Sequence, residues 1–286
     1  LDAFLPNHRA NPKKLQATCR TSGWLALPLL SIVTILAGCS ISSRFHQELD
    51  VTGFIAAARA APEGSITTEL DGDLYEVDLD KFGAADSSLT LSARVEIDHG
   101  PLRFLFDRVG ISNKGGGTFG GALGGATLPP GPYALETDLI SSRLMMAFPL
   151  PGPEATDSLP LDLRLLAGLN LTELRLQLRS LTNPDDFSEI DELVPTPILG
   201  LAANLPISPA WNLDAILTFF PLSEVTDYET ECIDGQIRIG WTPTQDWEVF
   251  LGARNHSVKV VGEQAGRPTE IDLQLELLEI GISYSF

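Results

Sequence analysis

Leu278-Glu279-Ile280-Gly281-Ile282-Ser283-Tyr284-Ser285-Phe286 alternates without a break. Every second residue, from Leu278 to Phe286, is apolar or aromatic, and the residues between are small or polar. That period of two is the mark of a β-strand with one greasy face and one wet face.

The same period recurs along the chain. Leu89, Leu91, Ala93, Val95 and Ile97 alternate with polar residues, and His99-Gly100-Pro101 turns the chain into a return strand over 102–107. Tyr133 to Phe148 carries Ile140, Leu144, Met146 and Phe148 on one face. Leu161 to Arg179 is a run of alternating leucines whose phase slips near Thr172, so a bulge or break is expected there. Strands follow over 197–205, 211–220, 232–241 and 247–261, with a weaker candidate at Val51 to Arg59. Between them, 61–88, 180–195 and 221–231 are acidic and 113–132 is rich in glycine and proline. These four read as loops, the one over 221–231 intermediate and the others long, with the glycine-rich one flexible.

The class that results is all-β: an antiparallel up-and-down transmembrane β-barrel of about ten strands, with eight as the other count. Short and long connections alternate along the chain, as they do between the two ends of a membrane barrel. Phe148, Trp211, Trp241, Trp247, Tyr284 and Phe286 cluster at the short-turn ends of their strands and form a candidate aromatic belt. Patterning alone leaves a soluble β-sandwich open. In a barrel the wet faces turn inward, so Arg94, Glu96, Asp107, Arg143, Asp162, Arg164, Asp214, Arg238, Glu248, Arg254, Glu276 and Glu279 become a candidate lumen charge network. Charges of both signs fit such a network, because a buried charge without a partner is costly.

The N-terminus reads as an address. Lys13, Lys14 and Arg20 precede an apolar run from Trp24 to Ala37, which is the size of a signal-peptide core. Residues 1–38 are set aside as a targeting segment, 39–50 as a tether and 51–286 as the barrel.

The formal charge of −19 argues against nucleic acid, which needs a basic face. Three cysteines, two of them in the N-terminal segment, give no disulfide framework. No phosphate loop, zinc spacing or nucleotide fingerprint is present, so no cofactor is expected. The acidic loops suit weak binding of divalent cations through oxygen ligands. His256, with Ser257 beside it, is the one histidine placed near the outer rim, but neighbouring strand residues face opposite ways and do not pair.

The ending Leu278-x-Ile280-x-Ile282-x-Tyr284-x-Phe286 and the Gly252-Ala253-Arg254 of the preceding strand resemble the small outer-membrane barrels of Gram-negative bacteria, the broad group with A-type and W-type barrels. The resemblance implies residence in the outer membrane and contact with its lipid and lipopolysaccharide. It also implies recognition of the C-terminal strand by the barrel-assembly machinery. Leu36-Ala37-Gly38-Cys39 resembles a bacterial lipobox, which implies lipidation at Cys39. The leading expectation for function is a structural or surface-exposed barrel without enzymatic activity. A narrow solute channel, a rim hydrolase and a soluble periplasmic lipoprotein are the alternatives.

Overall fold

The computed structural model describes residues 49–150, 161–220, 229–264 and 266–286, all of them strand, turn or short connection. Among these residues eleven strands run in chain order: β1 Leu49–Leu70, β2 Asp73–Asp78, β3 Ser88–His99, β4 Leu102–Leu123, β5 Ala126–Pro149, β6 Asp162–Ser180, β7 Phe187–Ser208, β8 Trp211–Phe219, β9 Glu229–Trp241, β10 Trp247–Gln264 and β11 Arg267–Ser285. Every pairing is antiparallel, and β11 closes on β1 from Thr52↔Ser285 to Thr68↔Thr269. The weak candidate at Val51 to Arg59 is thus the start of a 22-residue closing strand. Ten strands make the ring; β2 pairs only with the far end of β1 and stands outside the count.

The strands are longer than the sequence suggests. β5 has 24 residues and β4 has 22, where 9–11 cross a membrane. The expected loop over 113–132 is therefore a correction: it is the upper halves of β4 and β5, and only Gly124-Gly125 turns. Both glycines have positive φ, 51° and 82°, as a two-residue hairpin of the primed type requires. The expected acidic loops over 61–88 and 180–195 likewise hold strand, since β1 runs to Leu70, β2 follows, and β7 begins at Phe187. Of the expected loop over 221–231, residues 221–228 lie outside the described residues, and 229–231 belong to β9, which begins at Glu229.

No bulge lies at Thr172. β6 keeps one register with both neighbours from end to end, Ser141↔Thr172↔Val194 included. What changes at that point is which face is apolar. In the lower part of β6, Leu165 and Leu169 point outward and are exposed. In the upper part, Leu174, Leu176 and Leu178 point inward and are buried, while Arg175 and Arg179 point outward. β11 does the same: Leu278, Ile280 and Ile282 face out at 65, 56 and 47 % exposure, whereas Ile271, Leu273, Leu275 and Leu277 face in and are buried. β10 repeats it with Val249 and Leu251 outside and Val258 and Val260 inside.

A face takes the character of its solvent. The lower outer wall is greasy, as the wall of a barrel against hydrocarbon is, and the upper outer wall is polar, as a wall against water is. The upper interior is then free to pack as an ordinary hydrophobic core, which runs from Ala58 and Ile66 through Leu123, Tyr133 and Leu135 to Leu176 and Leu273.

The glycines of β4 have a packing role. Residues 79–87, between β2 and β3, lie as a strap against the upper half of β4. The strap's Phe82 carbonyl accepts the Gly116 amide at 2.7 Å. A Cβ on Gly115 would fall 2.1 Å from that same oxygen, and one on Gly117 3.0 Å from the Phe82 ring. A Cβ on Gly121 would sit 1.8 Å from the Tyr75 ring of β2. Only residues without a side chain let these two rings lie flat on the strand.

Candidate lumen network

Below the apolar core the inward positions turn polar, and four of them form a closed square across the barrel. Arg143 on β5 holds Asp107 on β4 through Nε at 2.9 Å and Nη2 at 2.5 Å. Its Nη1 lies 2.8 Å from Asp234 on β9. Arg254 on β10 holds Asp234 through Nε at 3.0 Å and Nη2 at 2.7 Å, and reaches back to Asp107 at 3.5 Å. Two arginines and two aspartates thereby balance in charge, all four buried, with Arg143 fully so. The square ties the β4–β5 wall to the β9–β10 wall. Two-pronged guanidinium–carboxylate contacts are strong and directional, and inside a membrane span such charges persist only when paired.

His256 adds to one corner, its Nδ1 2.9 Å from Asp234 Oδ2. Sequence spacing puts it at the rim; the structure puts it in the buried middle of the barrel at 1 % exposure, and Ser257 faces the other way. Its Nε2 has no hydrogen-bond partner among the described residues.

The remaining expected charges divide by height. Arg94 donates to Gln236 and sits 3.5 Å from Glu96. Gln236 passes the chain on to Glu279 at 3.1 Å. Arg238 contacts Asp214 at 3.2 Å, and Glu248 accepts from Asn212 at 2.8 Å. At the lower mouth Arg164 pairs with Asp162 at 2.9 Å, and Arg103 pairs with Asp98 at 2.8 Å.

Glu276 is a correction. It faces outward and is exposed, because β11 has already exchanged its apolar face by that height and the inward position beside it is Leu277. Sequence reasoning also passed over Asp234, Gln236 and Arg103. The signal was present in β9, where Asp234, Gln236 and Arg238 share a parity opposite Ile233, Ile237 and Ile239.

The aromatics lie at one end of the wall. Trp211 pairs in register with Trp241, and Trp247 with Tyr284. The Trp247 and Tyr284 rings are 4.8 Å apart, and those of Tyr284 and Phe286 4.7 Å. Phe148 stands outward near the lower end of β5 at 37 % exposure. Cys39 and residues 1–38 lie outside the described residues.

Among the described residues no group of three or more metal-ligating side chains occurs. Two voids inside the network measure about 20 and 30 Å³, room for little more than a water each. Chemically, the arrangement can lock and fill the barrel.

Among solved structures, the barrel of an outer membrane protease has the same architecture. The outer membrane protease OmpT from Escherichia coli superposes with a TM-score of 0.56 at 10% identity, over 83% of this chain and 97% of that one. The translocator domain of autotransporter NalP from Neisseria meningitidis gives 0.41 at 11% identity, over 91% of this chain and 98% of that one. Ail, the attachment invasion locus protein of Yersinia pestis, gives 0.33 at 10% identity, over 84% and 99%. No protein-family model and no curated protein matches the sequence.

Proposed function

We propose that this chain, which has the fold of the Gram-negative outer-membrane β-barrels and resides in that membrane, serves as a closed scaffold that presents its upper half at the cell surface and carries out no catalysis. The observation that carries this reading is the filled interior. An apolar core occupies the upper half and the Arg143–Asp107–Arg254–Asp234 square spans the lower, an arrangement that supports a plugged barrel over a conducting one. What is left for contact with other molecules is the outside of the protruding wall. Glu69, Asp71, Asp73, Asp185, Asp191, Glu229, Glu231 and Asp272 are exposed there. Such a face repels polyanions and suits weakly held divalent cations that bridge to lipopolysaccharide. In this reading outer-membrane lipid and lipopolysaccharide surround the lower wall, and the assembly machinery takes hold of β11.

Two measurements test it together. In a planar bilayer the purified barrel gives no conductance steps; regular, salt-dependent steps would mean a channel instead. On intact cells a membrane-impermeant maleimide labels Gln274→Cys and leaves Leu251→Cys unlabelled. The opposite pattern would remove the surface assignment.

A further inference from the structure

Arg59 stands apart from its surroundings on the outer wall. It points outward and is exposed, at the height where β11 passes from an apolar to a polar outer face. Its register partners are Leu278 on β11 and Leu89 on β3, which are 65 and 84 % exposed. Its Nε donates to Ser87 Oγ at 2.9 Å, and among the described residues the guanidinium forms no ion pair. The outward arginines of β4 and β6 differ: Arg108 has Glu173 at 3.7 Å and Arg175 has Glu189 at 2.6 Å. Glu276, diagonal to Arg59 across the β1–β11 pair, accepts from Gln274 at 3.4 Å instead. Arg59 thus has two terminal amino groups to offer an anion, on a long stem that reaches the level of lipid headgroups.

From Arg59 a groove of about 870 Å³ runs along the outer wall toward β7. Its floor is made of small residues, Ala253, Gly235, Ala215 and Ala203, with Leu217 and Leu201 standing over it. It follows one row of register partners, Arg59↔Leu278↔Ala253↔Ile237↔Ala215↔Ala203. That row sinks into the apolar band as it goes. The first outward carboxylate stands at Glu276 on β11, two positions above Leu278. On β9 it is Glu231, six above Ile237, and on β7 it is Asp191, twelve above Ala203. A cation at the polar end and small apolar residues at the deep end match one molecule with an anionic head and an acyl tail. The volume is in the range of sites that take such ligands.

We propose that this groove holds one molecule of lipopolysaccharide, with a lipid A phosphate on Arg59 and Ser87 and an acyl chain along Ala253, Gly235 and Ala215. A guanidinium grips a phosphate in two-pronged fashion, which fixes the head, and the small residues let the chain lie close to the wall. The proposal rests on the surface reading above, because only the outer leaflet carries this lipid. It goes beyond that reading in naming one bound molecule and its site, where the rest of the lower wall meets lipid at large.

The barrel is purified in mild detergent from cells that make a truncated lipopolysaccharide of single mass, and native mass spectrometry reads what stays bound. One such molecule per chain is expected on the wild type and on Arg175→Gln, and retention about tenfold weaker on Arg59→Gln. The delipidated barrel is then titrated with lipid A, with dephosphorylated lipid A and with phosphatidylglycerol. Lipid A raises the unfolding midpoint of the wild type, and loss of its phosphates or Arg59→Gln removes that rise. No retained lipopolysaccharide, a phospholipid in its place, equal retention in Arg59→Gln, or a dimer of the chain closing the groove would each overturn the proposal. Maleimide labelling of Gln274→Cys on the same cells reports orientation by itself. Labelled cells whose barrel holds no lipopolysaccharide therefore overturn the site and leave the surface reading standing.

Discussion

Placing an arginine at Ile280 tests what touches the lower wall. Ile280 points outward at 56 % exposure, in register with Ala57 on one side and Leu251 on the other. It lies four residues above Tyr284, in the aromatic rim, and four below Glu276, the first outward charge above it on β11. At about 3.3 Å per residue the stretch from 276 to 284 covers roughly 27 Å, which a tilt of about 40° reduces to roughly 20 Å of height. That is close to the apolar band of such barrels, and Ile280 sits at its middle, about 13 Å along the strand from either polar edge. An arginine there costs about 2–4 kcal/mol, a loss of some 30- to 1,000-fold in the folding constant. The same residue at Gln274, also outward but three positions above the exchange of faces, changes stability by less than about 0.5 kcal/mol. Urea unfolding from lipid vesicles, followed by the fluorescence of the rim tryptophans, reads both. Equal costs at 280 and 274 would mean that one medium bathes the whole outer wall, and the membrane boundary drawn here would be wrong.

Further expectations concern the interior and the strap. Asp107→Ala leaves Arg143 and Arg254 short of a partner and costs about 3–5 kcal/mol, and Asp107→Ala with Arg143→Leu costs less than the sum of the two singles. Urea titration of the four proteins gives the coupling; additivity within about 0.5 kcal/mol would show that the square does not act as a unit. Gly121→Val drives a side chain into the Tyr75 ring at a φ of +149°, so it loosens β2 and the strap and exposes residues 79–87 to protease. Tyr75→Ala in the same chain removes much of that effect, and limited proteolysis reports both. For Asp78, burial pushes the carboxyl pKa up, but the Lys81 side chain and the backbone amides of Lys81 and Asp80 hold it lower still, for a net depression. A depressed carboxyl stabilises the fold above its unfolded value, near 3.9, and loses that contribution as pH falls through the folded value. The protection of the strap amides against hydrogen exchange, taken relative to the intrinsic rate at each pH, therefore falls from about pH 4 downward in the wild type, and in Asp78→Asn it is lower already at neutral pH and changes less.

The terminal strand was readable because its greasy residues meet lipid to the end, so period and medium agree from Leu278 to Phe286. The upper halves of the strands were not, because their outward residues meet water. Glu69, Asp191 and Glu192 look like loop residues when only composition is weighed, yet each occupies a strand position. Gly115, Gly117 and Gly121 look like a flexible linker because nothing in one dimension shows that Phe82 and Tyr75 will lie on them. The apparent slip at Thr172 and the misplacing of Glu276 share one cause. Both assumed that a strand keeps one apolar face along its length, whereas these strands pass from one solvent to another. The partners within the square were beyond reach for a different reason: Arg254 and Asp107 stand 147 positions apart, and only ring closure brings them together.

The exchange of faces also fixes how high each strand rides. In a uniform barrel a strand that slides by two residues keeps its parity and loses little, so vertical position is weakly defended. Here a two-residue slide of β11 would push Glu276 toward the acyl chains in one direction, or lift Leu278 into water in the other, while its neighbours stayed aligned. Each boundary thus serves as a depth mark, and the row of marks around the barrel makes the bilayer itself the gauge against which the assembling wall is levelled.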